Sequence, residues 1–142
     1  MESLVELLKE IEVLLGQISA ITANQTTVLL QTPKTVEQEN EMLVILENMV
    51  EYKEELILAV EKKEEEFEAL YGKNKTQITN PDDVKIFKHY IAHILSQKEE
   101  IKETEQANVM MVKKRVDRRT KQVDLPKNPK QVIQAYRNYV IK

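Results

Sequence analysis

The sequence predicts an all-α protein: an elongated antiparallel three-helix bundle or coiled coil, followed by a short C-terminal amphipathic segment. Three observations carry that prediction. Apolar residues recur at alternating spacings of three and four along three long stretches. Only two glycines and four prolines punctuate the 142 residues, too few turn formers to connect many strands. The chain is 42% apolar, 32% charged and only 5% aromatic, a balance that suits long amphipathic helices.

The first helix is read from Leu4, Leu8, Ile11, Leu15, Ile18, Thr22, Gln25 and Leu29, a heptad seam that is apolar except near its end. Leu7, Leu14 and Ile21 widen the stripe, which suits a helix with more than one neighbour. Pro33 ends it, so the helix is expected over about residues 3–31. The connection "TPKT" is short and returns the chain antiparallel. Thr35 is placed to cap the second helix, with Gln38 at capping-box distance.

The second seam runs through Met42, Leu46, Met49, Lys53, Leu56, Val60, Lys63, Phe67 and Leu70. Gly72 is a natural residue to follow a helix end, so this helix is expected over about 35–71. Asn80 as N-cap, Pro81 at the first helical position, and Asp82 and Asp83 in the first turn then start the third helix, expected over about 81–120. Its seam is Val84, Phe87, Ile91, Ile94, Lys98, Ile101, Glu105, Asn108 and Val112. The stripe thins after Leu95, which predicts a second half that is held weakly or faces a less buried environment. At about 1.5 Å per residue, helices of this size are roughly 45 to 60 Å long. The expected organisation is a helical bundle over residues 1–122 and a proline-broken tail over 123–142. A helical hairpin that dimerises would bury the same stripes, so a homo-oligomer is an alternative to the three-helix bundle.

Composition narrows the chemistry. The chain has no cysteine, which removes disulfides, thiolate nucleophiles and cysteine metal sites. No basic, apolar leader opens the sequence and no apolar run approaches the roughly 20 residues of a membrane span, so cytoplasmic residence is expected. His89 and His93 share one helix face, but the position after the first is Tyr90, where the zinc-protease motif carries Glu, and no third ligand is evident. There is no nucleophile elbow and no glycine-rich phosphate loop. A non-catalytic protein without metal or cofactor is expected. "EKKEEEFE" (Glu61 to Glu68) reads as a solvated helix face.

The net charge of −3 is unevenly spread. From Lys113 onward ten Lys or Arg face two Asp, a balance of +8, so the first 112 residues carry −11. The basic run from Lys113 to Lys121 admits several readings: favourable charge at the end of the third helix, attraction to the acidic body, a protein partner, or phosphates of nucleic acid or lipid. No recognisable nucleic-acid module accompanies it, so a nucleic-acid partner is not expected.

Candidate partner contacts lie at the C-terminal end. Met110 and Met111 sit where the apolar stripe is thin, and methionine makes adaptable contacts. In the tail, Val132, Ile133, Tyr136, Tyr139 and Val140 form one apolar stripe on a helix. A helix of about 12 residues is marginal alone in water and needs a surface to fold against. That surface is either a groove on its own bundle or one on a partner.

The long first helix, the tight "QTPKT" turn, the charged "VEQENEMLVILENMVEYKEEL" and the tail "LPKNPKQVIQAYRNYVIK" together resemble flagellar export chaperones of the FlgN/FliT type. The resemblance is one of architecture and residue pattern over most of the chain. It implies a cytoplasmic, non-catalytic protein that holds hook-associated or filament-cap proteins before export, with a C-terminal region that binds or controls access. Those roles would fall on Val132, Ile133, Tyr136, Tyr139 and Val140, with Met110 and Met111 beside them. The alternative is a structural coiled-coil oligomer or adaptor whose tail seals its own bundle.

Overall fold

A computed structural model describes residues 2–119 and Ile133, with side chains through Arg115 and at Ile133. The described chain is all-α. Helix α1 spans Glu2–Leu29, α2 spans Val36–Asn74, a 3₁₀ turn spans Lys75–Gln77, and α3 spans Pro81–Arg119. No strand occurs among the described residues. The three helices pack against one another, as the three seams predict.

Local chemistry sets the starts of α2 and α3. The Gln38 amide donates to the Thr35 hydroxyl at 3.1 Å, and the Gln38 side-chain oxygen accepts from the Lys34 amide at 2.8 Å. This is the predicted capping box with its return bond shifted one residue outward. At α3 the Asp82 amide donates to Asn80 Oδ1 at 2.9 Å, and Pro81 occupies a position whose N–H would lack a helical partner.

The expected stop at Gly72 does not occur. Helix α2 continues through Gly72 to Asn74, and none of the described residues adopts a positive φ. The Asn74 side-chain amide then donates to the Leu70 carbonyl at 2.8 Å, satisfying one of the groups a helix end leaves open. Phe67, Tyr71 and Phe87 pack as an aromatic cluster, with Phe67 and Tyr71 stacked at 5.9 Å and Phe87 meeting both edge-on at 6.4 Å. Packing Tyr71 in this cluster holds the turn that contains Gly72 helical.

Every position of the predicted α1 seam is buried, from Leu4 to Leu29. On α2 the buried set includes Leu43 and Val50 as well as the seam residues Met42, Leu46, Lys53, Leu56 and Val60. The chain divides into two compact units. One comprises Met1–Ala20 and Glu54–Ile101, the other Ile21–Lys53 and Lys102–Lys142.

In the first unit the buried residues are Leu4, Leu8, Ile11, Leu15, Ile18, Leu56, Val60, Phe87 and Ile94. Ion pairs lie along their margins. Lys63 meets Glu10 at 3.0 Å, and Lys98 meets both oxygens of Glu64 at 2.9 and 3.0 Å. Part of the acidic run on α2 therefore pairs between helices instead of facing only water. The Glu10 carboxylate, first by hydrogen bonding and then by charge, holds the Lys63 ammonium above the ordinary lysine range.

In the second unit the apolar cluster is Leu29, Met42, Leu43, Leu46, Val50, Val112 and Ile133, with Val28, Val109 and Met111 packed against it. The contacts here fix helix direction. Thr22 and Leu29 of α1 lie at the levels of Lys53 and Met42 of α2, so α1 and α2 are antiparallel. The same two α1 positions meet Asn108 and Arg115 of α3, so α1 and α3 are parallel.

Candidate binding surface

The second unit is built around a feature that no single helix announces. Thr22 and Gln25 of α1, Lys53 of α2, and Glu105 and Asn108 of α3 are the polar interruptions of the three seams. They meet at one level. The Lys53 ammonium pairs with Glu105 Oε1 at 2.5 Å, donates to Gln25 Oε1 at 2.6 Å and approaches the Thr22 hydroxyl at 3.4 Å. Its three protons thus have three acceptors. The Asn108 amide donates to the Thr22 carbonyl at 3.1 Å, and the Thr26 hydroxyl donates to Asn108 Oδ1 at 2.6 Å. Lys53 is only 4% exposed and Thr22 is fully buried, so each bond forms in a medium where an unmade one would be costly.

This layer reverses the expectation of a weakly held second half of α3. Asn108 and Val112 are buried, and Val109 and Met111 pack against the apolar cluster. The first half of α3 is the barer one: Ile91 and Leu95 are 42% and 60% exposed, although Ile91 lies on the predicted seam. Polar seam residues are buried here because their bonding groups find partners across the helices.

Arg115 gives one part of the basic run a definite task. Its guanidinium donates to the carbonyls of Leu29 and Gln31, the latter at 2.5 Å, and one nitrogen lies 3.3 Å from the Met42 sulfur. It therefore caps the C-terminal end of α1, where carbonyls lack helical donors and the helix dipole favours a cation. One of the readings open from the sequence places the benefit of this charge at the end of α3 itself. The parallel course of α1 and α3 brings it to α1. Lys113 and Lys114 are exposed.

The sequence-predicted contact residues fall in three groups. Met110 is 50% exposed, and Met111 is turned toward the apolar cluster. Ile133 is buried, 5% exposed, among Leu29, Met42, Leu43, Leu46, Val50 and Val112. Val132, Tyr136, Tyr139 and Val140 lie outside the described residues. Ile133 also borders a water-sized cavity of ≈ 30 Å³ whose other walls are Val109, Val112 and the polar side chains Gln25, Lys53, Glu105 and Asn108. A space of that size, with polar walls, suits a water molecule.

His93 bonds the Glu12 carboxylate through Nδ1, and His89 meets the Tyr90 ring edge-on at 6.0 Å. The two histidines thus have separate neighbours. No described helix is long and apolar enough to cross a membrane.

The fold and these surfaces define a class: a three-helix protein with α2 antiparallel to its neighbours, a buried polar layer, and a groove in its second unit that accepts an isoleucine from its own C-terminal segment. Compared with known proteins, the chain matches no family model, and no curated protein or solved structure is significantly similar to it.

Proposed function

We propose that the chain is a non-catalytic helical binding protein that sequesters an amphipathic helix of a protein partner, in the manner of the flagellar export chaperones it resembles. The observation that supports this reading is the seat of Ile133. One aliphatic anchor from a segment distant in sequence is buried against α1, α2 and α3 of the second unit. Recognition by helix-in-groove binding uses the same element, an apolar anchor entering a slot between packed helices. Elsewhere on α3, exposed Met110 offers a side chain that adapts to different shapes. A partner such as a hook-associated or filament-cap protein would be held in the cytoplasm with its apolar stripe covered. Tyr136 and Tyr139 would supply aromatic anchors.

The test uses the terminal helical segment of a hook-associated or filament-cap protein as probe. Replacing both Tyr136 and Tyr139 by Ala is expected to weaken its binding by about tenfold or more, while helical content by circular dichroism stays unchanged. A parallel loss of helix would count against the reading and for a structural tail.

The burial of Ile133 also supports a second reading, a coiled-coil protein whose tail seals its own bundle. On that reading Ile133→Asp lowers thermal stability, and the probe does not bind either form. On the binding reading Ile133→Asp leaves a groove that still takes the probe.

A further inference from the structure

We propose that the exposed stripe on α3 in the first unit is the contact face of a two-fold homodimer, with the α3 helices of two copies antiparallel. Val84, Lys88, Ile91, Leu95 and Glu99 follow one another at intervals of four, three, four and four residues. At about 100° per residue they fall within an arc of about 80°. The buried residues Phe87 and Ile94 lie on the adjoining arc and serve the core of the unit. The stripe is therefore separate from that core, yet its apolar members are 36%, 42% and 60% exposed for Val84, Ile91 and Leu95. Tyr71 of α2, 42% exposed, adds an aromatic edge: the Glu64–Lys98 pair sets the register that brings it level with Ile91.

Charge selects a second copy of this chain as the occupant, and it selects the orientation. The stripe carries Lys88 toward its N-terminal end, with Lys85 beside it, and Glu99 toward its C-terminal end, ahead of Lys102. Among the described residues, neither Lys88 nor Glu99 has an ion-pair partner within the chain. A two-fold axis passing between Ile91 and Leu95 sets each Ile91 against the other copy's Leu95. It also sets each Lys88 against the other copy's Glu99, so this charge contact forms twice. A parallel pairing would instead bring Lys88 to Lys88 and Glu99 to Glu99, juxtaposing like charges. The pattern is self-complementary in one orientation only, as an isologous interface requires.

Sedimentation equilibrium on the full chain tests this directly. The wild-type chain is expected to be a dimer that dissociates on dilution. Leu95→Glu replaces an exposed side chain, so the fold is kept, and it is expected to weaken association by about a hundredfold. Lys88→Glu and Glu99→Lys are each expected to weaken it by about tenfold, since each creates two like-charge contacts. The double variant Lys88→Glu with Glu99→Lys is expected to return to within about threefold of wild type, because the exchange restores both pairs. A wild-type chain that is monomeric at about 100 μM would overturn the proposal. So would a dimer indifferent to Leu95→Glu, or a double variant no better than its parents. Circular dichroism on each variant separates lost association from lost fold.

Discussion

Lys53 carries a full charge into the second unit, and its neighbours decide what happens when either member of its ion pair is removed. Lys53 is 5% exposed at its side chain, whereas Glu105 is 29% exposed. Glu105→Gln leaves a deeply buried ammonium with neutral acceptors only. The expected loss is about 3 kcal/mol or more, the range for breaking a buried pair. Lys53→Met leaves a carboxylate that water still reaches. It costs about 1–2 kcal/mol, chiefly because Gln25 Oε1 loses its donor. Changing both together is expected to cost less than the sum of the two changes, since no lone charge remains. Urea midpoints at unchanged slope measure all three, and the reverse order of the single variants would show that Lys53 does not anchor the layer. Each member of this layer was visible in the sequence as a polar residue interrupting a seam. Their meeting was not visible. It depends on the register between helices, which the turns and the opposing cores set jointly, and no periodicity within one helix encodes that.

Helices were the most legible level of this protein, because caps and seams are local. Thr35 with Gln38 and Asn80 with Pro81 mark two starts that the structure reproduces, and the α1 seam is buried from end to end. Two element-scale expectations depended on tertiary packing and came out differently. Ile91 reads as a seam residue by spacing, but spacing does not say how wide a neighbour's cover will be, and Ile91 remains exposed. Gly72 reads as a helix stop, but the aromatic packing of Tyr71 carries the helix past it. The difference is measurable. An added Cβ at Gly72 meets nothing within 4 Å, and its φ is not positive. Gly72→Ala is therefore expected to stabilise the protein by about 0.5–1 kcal/mol through helix propensity and a smaller unfolded-state entropy. Were Gly72 a left-handed residue following the helix end, the same change would destabilise by about 1 kcal/mol or more. The sign of the shift in thermal midpoint decides between them.

Across the whole chain, the basic run that the sequence displays from Lys113 finds a concrete contact in Arg115, which donates to backbone carbonyls at the end of α1. The tail's apolar stripe finds one in Ile133. Both contacts belong to the second unit, whose apolar cluster draws on three helices and the C-terminal segment. The first unit has its own buried set and its own interhelical ion pairs. Removing residues 126–142 therefore takes an isoleucine from the core of the second unit. Burial of one such side chain contributes about 1.5–3 kcal/mol. Hydrogen exchange under native conditions resolves where that contribution resides, since local openings report local stability. Amides of α1 after Ile21 and of α2 before Glu54 are expected to exchange at least about tenfold faster in the truncated chain. Those of α2 after Glu54 and of α3 before Lys102 should stay within about twofold of the full chain. A uniform acceleration would mean that the two cores open as one, and no acceleration would mean that Ile133 contributes no stability to the groove it fills. Only a loss confined to the second unit fits a C-terminal segment whose anchor is a replaceable wedge, the property that a groove shared between tail and partner requires.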